Sequence, residues 1–341
     1  MATRVAINGF GRIGRNVLRA ARGNGAFEIV AANDIGTPQQ LAHLLQYDSI
    51  LGRYPGDVSC TDSAIVADGK EVQIFSVRTP GDIDWSSLGV EIVIESSGLF
   101  TKAEQARVHI SKGGAKKVII TAPAKGEDLT VCMGVNDDAY QPDRHHVISN
   151  ASCTTNCLAP VAQVIHERFG IESGLMTTVH AYTGDQRLLD APHPDPRRAR
   201  AAALSLIPTS SGAAEAVAKV VPALAGRFRG FALRVPVPNV SMVDFTVLTT
   251  KETSAEEVNE ALRASARNRL KGILRVEEGT LVSIDFRGDS HSSVVDAPLT
   301  VMAGDRHLKV LAWYDNEWGY SCRVADLTAL VASSLPGGAA S

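Results

Sequence analysis

The segment that most restricts the fold is Gly9-Phe10-Gly11-Arg12-Ile13-Gly14. It follows a short strand-like run, Arg4 to Asn8, and opens a stretch in which Ile13, Val17, Leu18 and Ala21 recur at helical spacing. A second strand pattern, Phe27 to Ala32, comes next, and Asp34 lies 20 residues after Gly14. Glycines in a strand–turn–helix unit let the backbone approach a pyrophosphate that faces the helix N-terminus. An acid after the second strand accepts hydrogen bonds from a ribose 2′-hydroxyl and would repel a 2′-phosphate, so the pattern predicts NAD over NADP.

The alternation continues with a helical pattern around Leu41, Leu44 and Leu45 and a strand pair within Ala64 to Val77. A strand Glu91–Glu95, a helix near Lys102–Lys112 and a strand Lys117–Thr121 follow. Strands alternating with helices predict an α/β unit with a doubly wound parallel sheet. After Cys153 the texture changes: one helix from Thr154 to Phe169, then alternating strands at Leu175–Ala181, Phe231–Pro236, Ser241–Thr249, Val282–Phe286, Val294–Asp296 and Lys309–Trp313. That order predicts a second, α+β domain with a mostly antiparallel sheet. Two domains also suit 341 residues at roughly 150 per domain. Between strands, Thr183 to Ser205 is Pro- and Arg-rich and too long for a tight turn, which marks a functional or interface loop. Helical periodicity returns over Gly319–Leu335, and Pro336 to Ser341 is expected to fray.

Charge is nearly balanced, 34 Lys+Arg against 37 Asp+Glu, so nothing global calls for nucleic acid or an anionic membrane as partner. The amino terminus runs directly into a strand pattern without a leader, and five cysteines in a long chain suit reduced thiols, so a cytoplasmic setting is expected. No group of Cys and His has zinc-like spacing, and no metal is expected. In Ala151-Ser-Cys-Thr-Thr-Asn-Cys157 the first cysteine follows a strand and opens a helix, a position that favours thiolate, and an imidazolium beside it would favour it further. His180, at the end of Leu175–His180, is a candidate for that imidazole. On these residues alone, Cys153 is more simply a small buried hydrophobe and His180 a satisfied strand-end residue. Cys157, one helical turn deeper, reads as structural.

The runs INGFGRIGR, ASCTTNCLAP, HAYTGDQ, RRARAAA, ALRVPVPN and WYDNEWGYS, in this order along nearly the whole chain, resemble phosphorylating glyceraldehyde-3-phosphate dehydrogenase. The resemblance implies a Rossmann NAD-binding domain over residues 1–152, completed by a C-terminal helix over 319–336, a catalytic domain over 153–318, and a homotetramer. It implies that Cys153 attacks the aldehyde of glyceraldehyde 3-phosphate to form a thiohemiacetal and that His180 activates the thiol and takes the hydroxyl proton. Hydride transfer to NAD then leaves a thioester, which inorganic phosphate attacks. Arg12 and Ile13 resemble pyrophosphate-loop residues, Asp34 the ribose acid, Arg78 and Thr121 adenine- and ribose-side contacts, and Asn316 the residue that fixes the nicotinamide carboxamide. Thr183 and Arg234 match the pocket for the substrate phosphate. Ser152, Thr154, Arg198, Ser211 and Gly212 match the second phosphate pocket.

Position 121 has Thr where the family often has Ser, and position 211 has Ser where Thr is usual; both keep the hydroxyl. Two related activities stay open. HSSVVD at His291–Asp296 leans towards erythrose-4-phosphate dehydrogenase, although Thr183 and Ile207–Gly212 do not. GDQRLLDA with Ala191 resembles the photosynthetic branch that uses both NAD and NADP, whereas Pro192 and Asp34 argue against it.

Overall fold

Val5, Ala6 and Ile7 are wholly buried, as a strand covered on both faces must be, and Thr3–Asn8 accordingly takes the middle of a nine-stranded sheet. The computed structural model describes residues 2–335. Pro336 to Ser341, expected to fray, lie outside the described residues. The chain divides into two units: residues up to 131, 137–151 and from 321 onward form the first, and residues 132–136 and 152–320 the second.

In the first unit, Thr3–Asn8 pairs in parallel with Phe27–Asn33 on one side and with Ile92–Glu95 on the other. Lys70–Phe75 extends the sheet beyond Phe27–Asn33, and Lys117–Ile120, Val147–Ser149 and Leu129–Thr130 extend it beyond Ile92–Glu95, all parallel. The strand order therefore reverses at Thr3–Asn8, which makes its carboxyl end the switch point where α/β sheets bind ligands. Two antiparallel strands, Ala64–Ala67 and Val58–Cys60, close one edge.

In the second unit, the helix Cys153–Phe169 packs on the strands Ser241–Thr249, Ser293–Asp296 and His307–Tyr314. The eight-stranded sheet there is mostly antiparallel; Ile171–Ala181 runs parallel to Phe228–Val235, and Leu274–Glu277 parallel to Ser293–Asp296. Both sheets agree with the fold class expected from the sequence.

Three local expectations need correction. Val282–Phe286 is no strand but a 3-10 turn over Ser283–Phe286, because the Asp285 carboxylate accepts the Val282 N–H at 2.9 Å and folds the segment back. The helix near Lys102–Lys112 is two short pieces, Ala103–Ala106 and Val108–Ser111. They meet at Arg107, whose guanidinium pairs with Asp128 at 2.8 Å. The helices Ala213–Val220 and Ala255–Arg267 sit among strands where few helices were expected. The latter carries a readable start signal, a capping box between Ser254 and Glu257.

The three glycines of the opening turn serve three ends. Gly9 has φ +94°, and a Cβ on it would stand 2.4 Å from the Ser97 nitrogen. A Cβ on Gly14 would stand 2.3 Å from the Gly9 carbonyl oxygen, so the helix can lie this close only without one. Gly11 faces open space, with nothing within 4 Å of a Cβ. Gly14→Ala should lower Tm by about 2 °C or more, as overpacking of about 1–3 kcal/mol implies for a unit of this size. Gly11→Ala should leave Tm within about 1 °C of the parent in the same thermal melts, because ordinary solvent occupies the space its methyl would take.

Candidate active site

Gly9, Gly11, Asp34, Ile35, Arg78 and Phe100 are among the residues lining a crevice of about 320 Å³ in the first unit, at the switch point. Asp34 is held by its own turn: Oδ2 accepts the Phe10 N–H at 2.8 Å, and Oδ1 receives only the Gly36 N–H at 3.4 Å. One carboxylate oxygen is thus left for a ligand hydroxyl. Arg12 and Ile13 form the first turn of the helix Arg12–Ala20, where N–H groups lack partners within the helix. The Arg12 guanidinium is itself paired with Asp48. Arg78 is exposed on the crevice rim. Thr121 does not line the crevice; its hydroxyl donates to the Glu95 carbonyl at 3.3 Å. The open face of Gly11, the helix N-terminus and the half-used Asp34 carboxylate fit a dinucleotide.

In the second unit Cys153 is the first residue of its 17-residue helix, and Ser152 caps it by accepting the Thr155 N–H at 3.0 Å. Ala151, just before the cap, has φ +56°, a left-handed conformation that costs an alanine about 1 kcal/mol and turns the chain sharply into the helix. The Cys153 sulfur lies 3.4 Å from His180 Nε2. Burial pushes the thiol above its ordinary value, although Arg234 and hydrogen bonds from the Thr154 hydroxyl and the Thr154 and Cys153 N–H groups favour the thiolate. Burial and the Arg234 charge drive His180 down to about 3. Desolvation thus favours the uncharged form of both partners, while the helix end and Arg234 favour the thiolate at Cys153.

His180 Nδ1 lies 2.7 Å from the Ala181 carbonyl and 2.7 Å from Arg234 Nη1. The two contacts demand opposite tautomers. If Arg234 donates to Nδ1, Nε2 carries a hydrogen towards sulfur; if Nδ1 donates to Ala181, Nε2 becomes an acceptor for the thiol proton.

Arg234 also donates to Thr183 Oγ1 at 3.3 Å, so these two residues share one site with the Cys153–His180 pair. The Thr183 hydroxyl bonds to the Asp185 carboxylate, whose other oxygen pairs with Arg198 at 2.6 Å. Arg198 is held further by Thr209, which accepts from its Nε at 2.9 Å and donates to Asp195 at 2.8 Å. Gly212 is the N-terminal flank of the helix Ala213–Val220, and Ser211 accepts the Ala213 N–H at 3.3 Å. Thr154 is buried, and its hydroxyl lies 2.9 Å from the Tyr314 hydroxyl. Asn316 is buried, and its Oδ1 accepts the Ser241 hydroxyl at 2.8 Å, which leaves Nδ2 as the outward donor.

Sequence reasoning missed Asp185, Thr209 and Ser241. Ser241 also accepts the Ala181 N–H at 3.0 Å, so it ties Asn316 to the strand that carries His180. Its one signal is the polar start of an otherwise alternating strand. Cys157 is buried against Ser293 and Ala312, and burial pushes its thiol up to about 12, which leaves it inert.

Two family models match, described as the NAD binding domain of glyceraldehyde 3-phosphate dehydrogenase over residues 3–103 and its C-terminal domain over residues 152–316. Glyceraldehyde-3-phosphate dehydrogenase from Geobacillus stearothermophilus is 57% identical over 333 residues, covering 98% of this chain and 99% of its own. The protein of that name from Streptomyces coelicolor is 56% identical over 337 residues (98% and 100%), and glyceraldehyde-3-phosphate dehydrogenase 2 from Trichormus variabilis 55% over 332 (96% and 98%). Matched in both halves and identical at more than half of its positions over nearly its full length, the chain belongs to the glyceraldehyde-3-phosphate dehydrogenase family of oxidoreductases.

Proposed function

We propose that the chain catalyses the reversible, NAD-dependent oxidation and phosphorylation of D-glyceraldehyde 3-phosphate to 1,3-bisphosphoglycerate, as a glycolytic and gluconeogenic enzyme of the cytoplasm. The observation that carries this reading is the Cys153–His180 contact placed within reach of Arg234 and Thr183. The substrate phosphate takes the hydrogen bonds of Thr183 and Arg234, and Arg234 then ceases to donate to His180. His180 then holds the other tautomer, Nε2 having given its hydrogen to water and Nδ1 having taken one that it donates to Ala181, and Nε2 accepts the thiol proton as sulfur bonds to the aldehyde carbon. His180 returns that proton to the carbonyl oxygen and, as the thiohemiacetal is oxidised, takes the hydroxyl proton. NAD supplies the hydride acceptor. Inorganic phosphate, held by Arg198, Ser211, Gly212 and the Ser152–Thr154 turn, attacks the thioester carbon and expels the Cys153 thiolate.

On the cofactor side, Gly9, Gly11, Arg12, Ile13 and Gly14 serve the pyrophosphate, Asp34 the adenosine ribose and Arg78 the adenosine half, while Thr121 lies behind the crevice lining against the Glu95 carbonyl. Asn316 presents Nδ2 to the nicotinamide carboxamide. In this reading residues 1–152 with the closing helix are the NAD-binding half and 153–318 the catalytic half. No helix among the described residues is long and apolar enough to cross a membrane. Exposed apolar side chains on the second unit, Leu175, Phe231, Ile284 and Val301 among them, support a homotetramer, to be read as a sedimenting mass of four chains. The HSSVVD run does not favour erythrose 4-phosphate: Ser293 to Asp296 are a buried strand and His291 is bonded to Asp289 at 2.7 Å.

NADH formation from glyceraldehyde 3-phosphate should require inorganic phosphate and fall at least about a thousandfold in Cys153→Ser. His180→Asn should lose about 10²–10⁴-fold in kcat. Sustained wild-type turnover without phosphate or arsenate, or an active Cys153→Ser, overturns the reading; erythrose 4-phosphate in the same assay should give the lower kcat/KM. NAD should be preferred to NADP, and Asp34→Ala should shrink the ratio of their kcat/KM values by at least about tenfold, the worth of one charge-assisted hydrogen bond. A wild type that prefers NADP sinks the role given to Asp34.

A further inference from the structure

Asn8, Glu95 and Asn33 lie side by side at the carboxyl ends of three adjacent strands, in register with one another. All three are buried, and their side chains form one row. Asn8 Nδ2 donates to Glu95 Oε2 at 2.5 Å, and Asn8 Oδ1 accepts from Asn33 Nδ2 at 2.7 Å. Asn33 closes on the next strand's loop: its Oδ1 accepts the Val77 N–H at 2.8 Å and its Nδ2 reaches the Val77 carbonyl at 2.8 Å. At the other end His109 Nε2 lies 3.0 Å from Glu95 Oε2, and Trp85 Nε1 lies 3.0 Å from His109 Nδ1. Trp85 and His109 are fully buried.

Hydrogen-bond chemistry gives the row a direction. An indole N–H only donates, so His109 Nδ1 accepts and its ring hydrogen sits on Nε2, pointing at Glu95. Glu95 Oε2 must therefore accept twice. Its Oε1 accepts the Ser97 N–H at 2.9 Å and the Ser97 hydroxyl at 2.5 Å. A carboxylate with four donors is the one group that satisfies this site. From these strand ends spring the loops that wall the dinucleotide crevice: Gly9 after Asn8, Asp34 after Asn33, Arg78 after Val77, and Ser96–Ser97 after Glu95.

We propose that Glu95 is a positioning residue for the dinucleotide: its carboxylate ties the ends of three strands to a buried Trp85–His109 anchor and so sets the height of the four loops that hold the adenosine half. The proposal rests on the reading of that crevice as the NAD site. Burying four such polar side chains is tolerated only because every donor finds its acceptor, so a wrong amide in the row is felt at its far end.

Titration calorimetry with NAD and with ADP-ribose tests it on the purified full-length protein, together with KM for NAD and kcat. In Glu95→Gln one end of the side chain becomes a donor, and either orientation sets it against an N–H. Its Kd for both ligands and its KM for NAD should rise at least about tenfold, while kcat at saturating NAD stays within about twofold. His109→Leu should behave alike. His109→Gln, which can accept from Trp85 and donate to Glu95, should keep Kd within about threefold of wild type, and this pair carries the comparison if Glu95→Gln does not fold. Unchanged Kd in Glu95→Gln and His109→Leu, a His109→Gln as weak as His109→Leu, or a loss confined to kcat each overturns the proposal. A wild type that binds neither ligand overturns the reading of the crevice, and the proposal with it.

Discussion

A site meant for anions has to hold cations and N–H groups in reserve, and burying such donors without an acceptor costs about 1–3 kcal/mol apiece. In this chain its own carboxylates accept from several of the groups assigned to anionic ligands. Asp185 takes Arg198 and the Thr183 hydroxyl, and Asp48 takes Arg12. Each acid lies on or beside a loop, and side-chain hydrogen bonds of this kind can be exchanged for those of a phosphate of the same geometry. A near-neutral net charge is compatible with such local pairing of cations with acids.

Precision at the site is bought by backbone strain at two joints. Ala151 has φ +56° and Val240 φ +67°, the latter unusual for a β-branched residue. Ala151 stands just ahead of the cap that launches the Cys153 helix, and Val240 just ahead of Ser241, which bonds both Ala181 and Asn316. Val240 is buried in a small apolar cluster with Phe286 and Val294, so packing over-determines its conformation. Strain of this kind persists where moving the chain by one rotamer would misplace a reacting group.

What was legible in the sequence is what depends on near neighbours. Gly9, Gly11 and Gly14 could be read because a left-handed turn, a close helix approach and an open ligand face each exclude a side chain locally. Cys153 at a strand-to-helix joint could be read for the same reason. Asp185 and Thr209 could not, since they reach Arg198 only after a long loop folds on itself. His109 lies in a segment expected only as one regular helix, and the break at Arg107 accompanies its turn inward to Trp85 and Glu95. Val282–Phe286 failed differently: alternation of apolar and polar residues fits a strand, but Val282 and Ile284 are exposed, and Asp285 bonds back three residues to make a turn.

The charge state of the Cys153–His180 pair shows why such details matter more than residue identity. A helix N-terminus and an imidazolium favour thiolate, which is all the sequence could register; the structure adds Arg234 on the same side. Burial opposes them, and at His180 burial and Arg234 act in the same direction, towards the neutral ring. A neutral imidazole 3.4 Å from a thiol is a competent base only in the tautomer whose Nδ1–H meets the Ala181 carbonyl. Arg234, 2.7 Å from that same nitrogen, competes for it. In the proposed reaction, a substrate phosphate that drew Arg234 away would therefore also set which face of the imidazole is basic, coupling recognition to activation through one nitrogen atom.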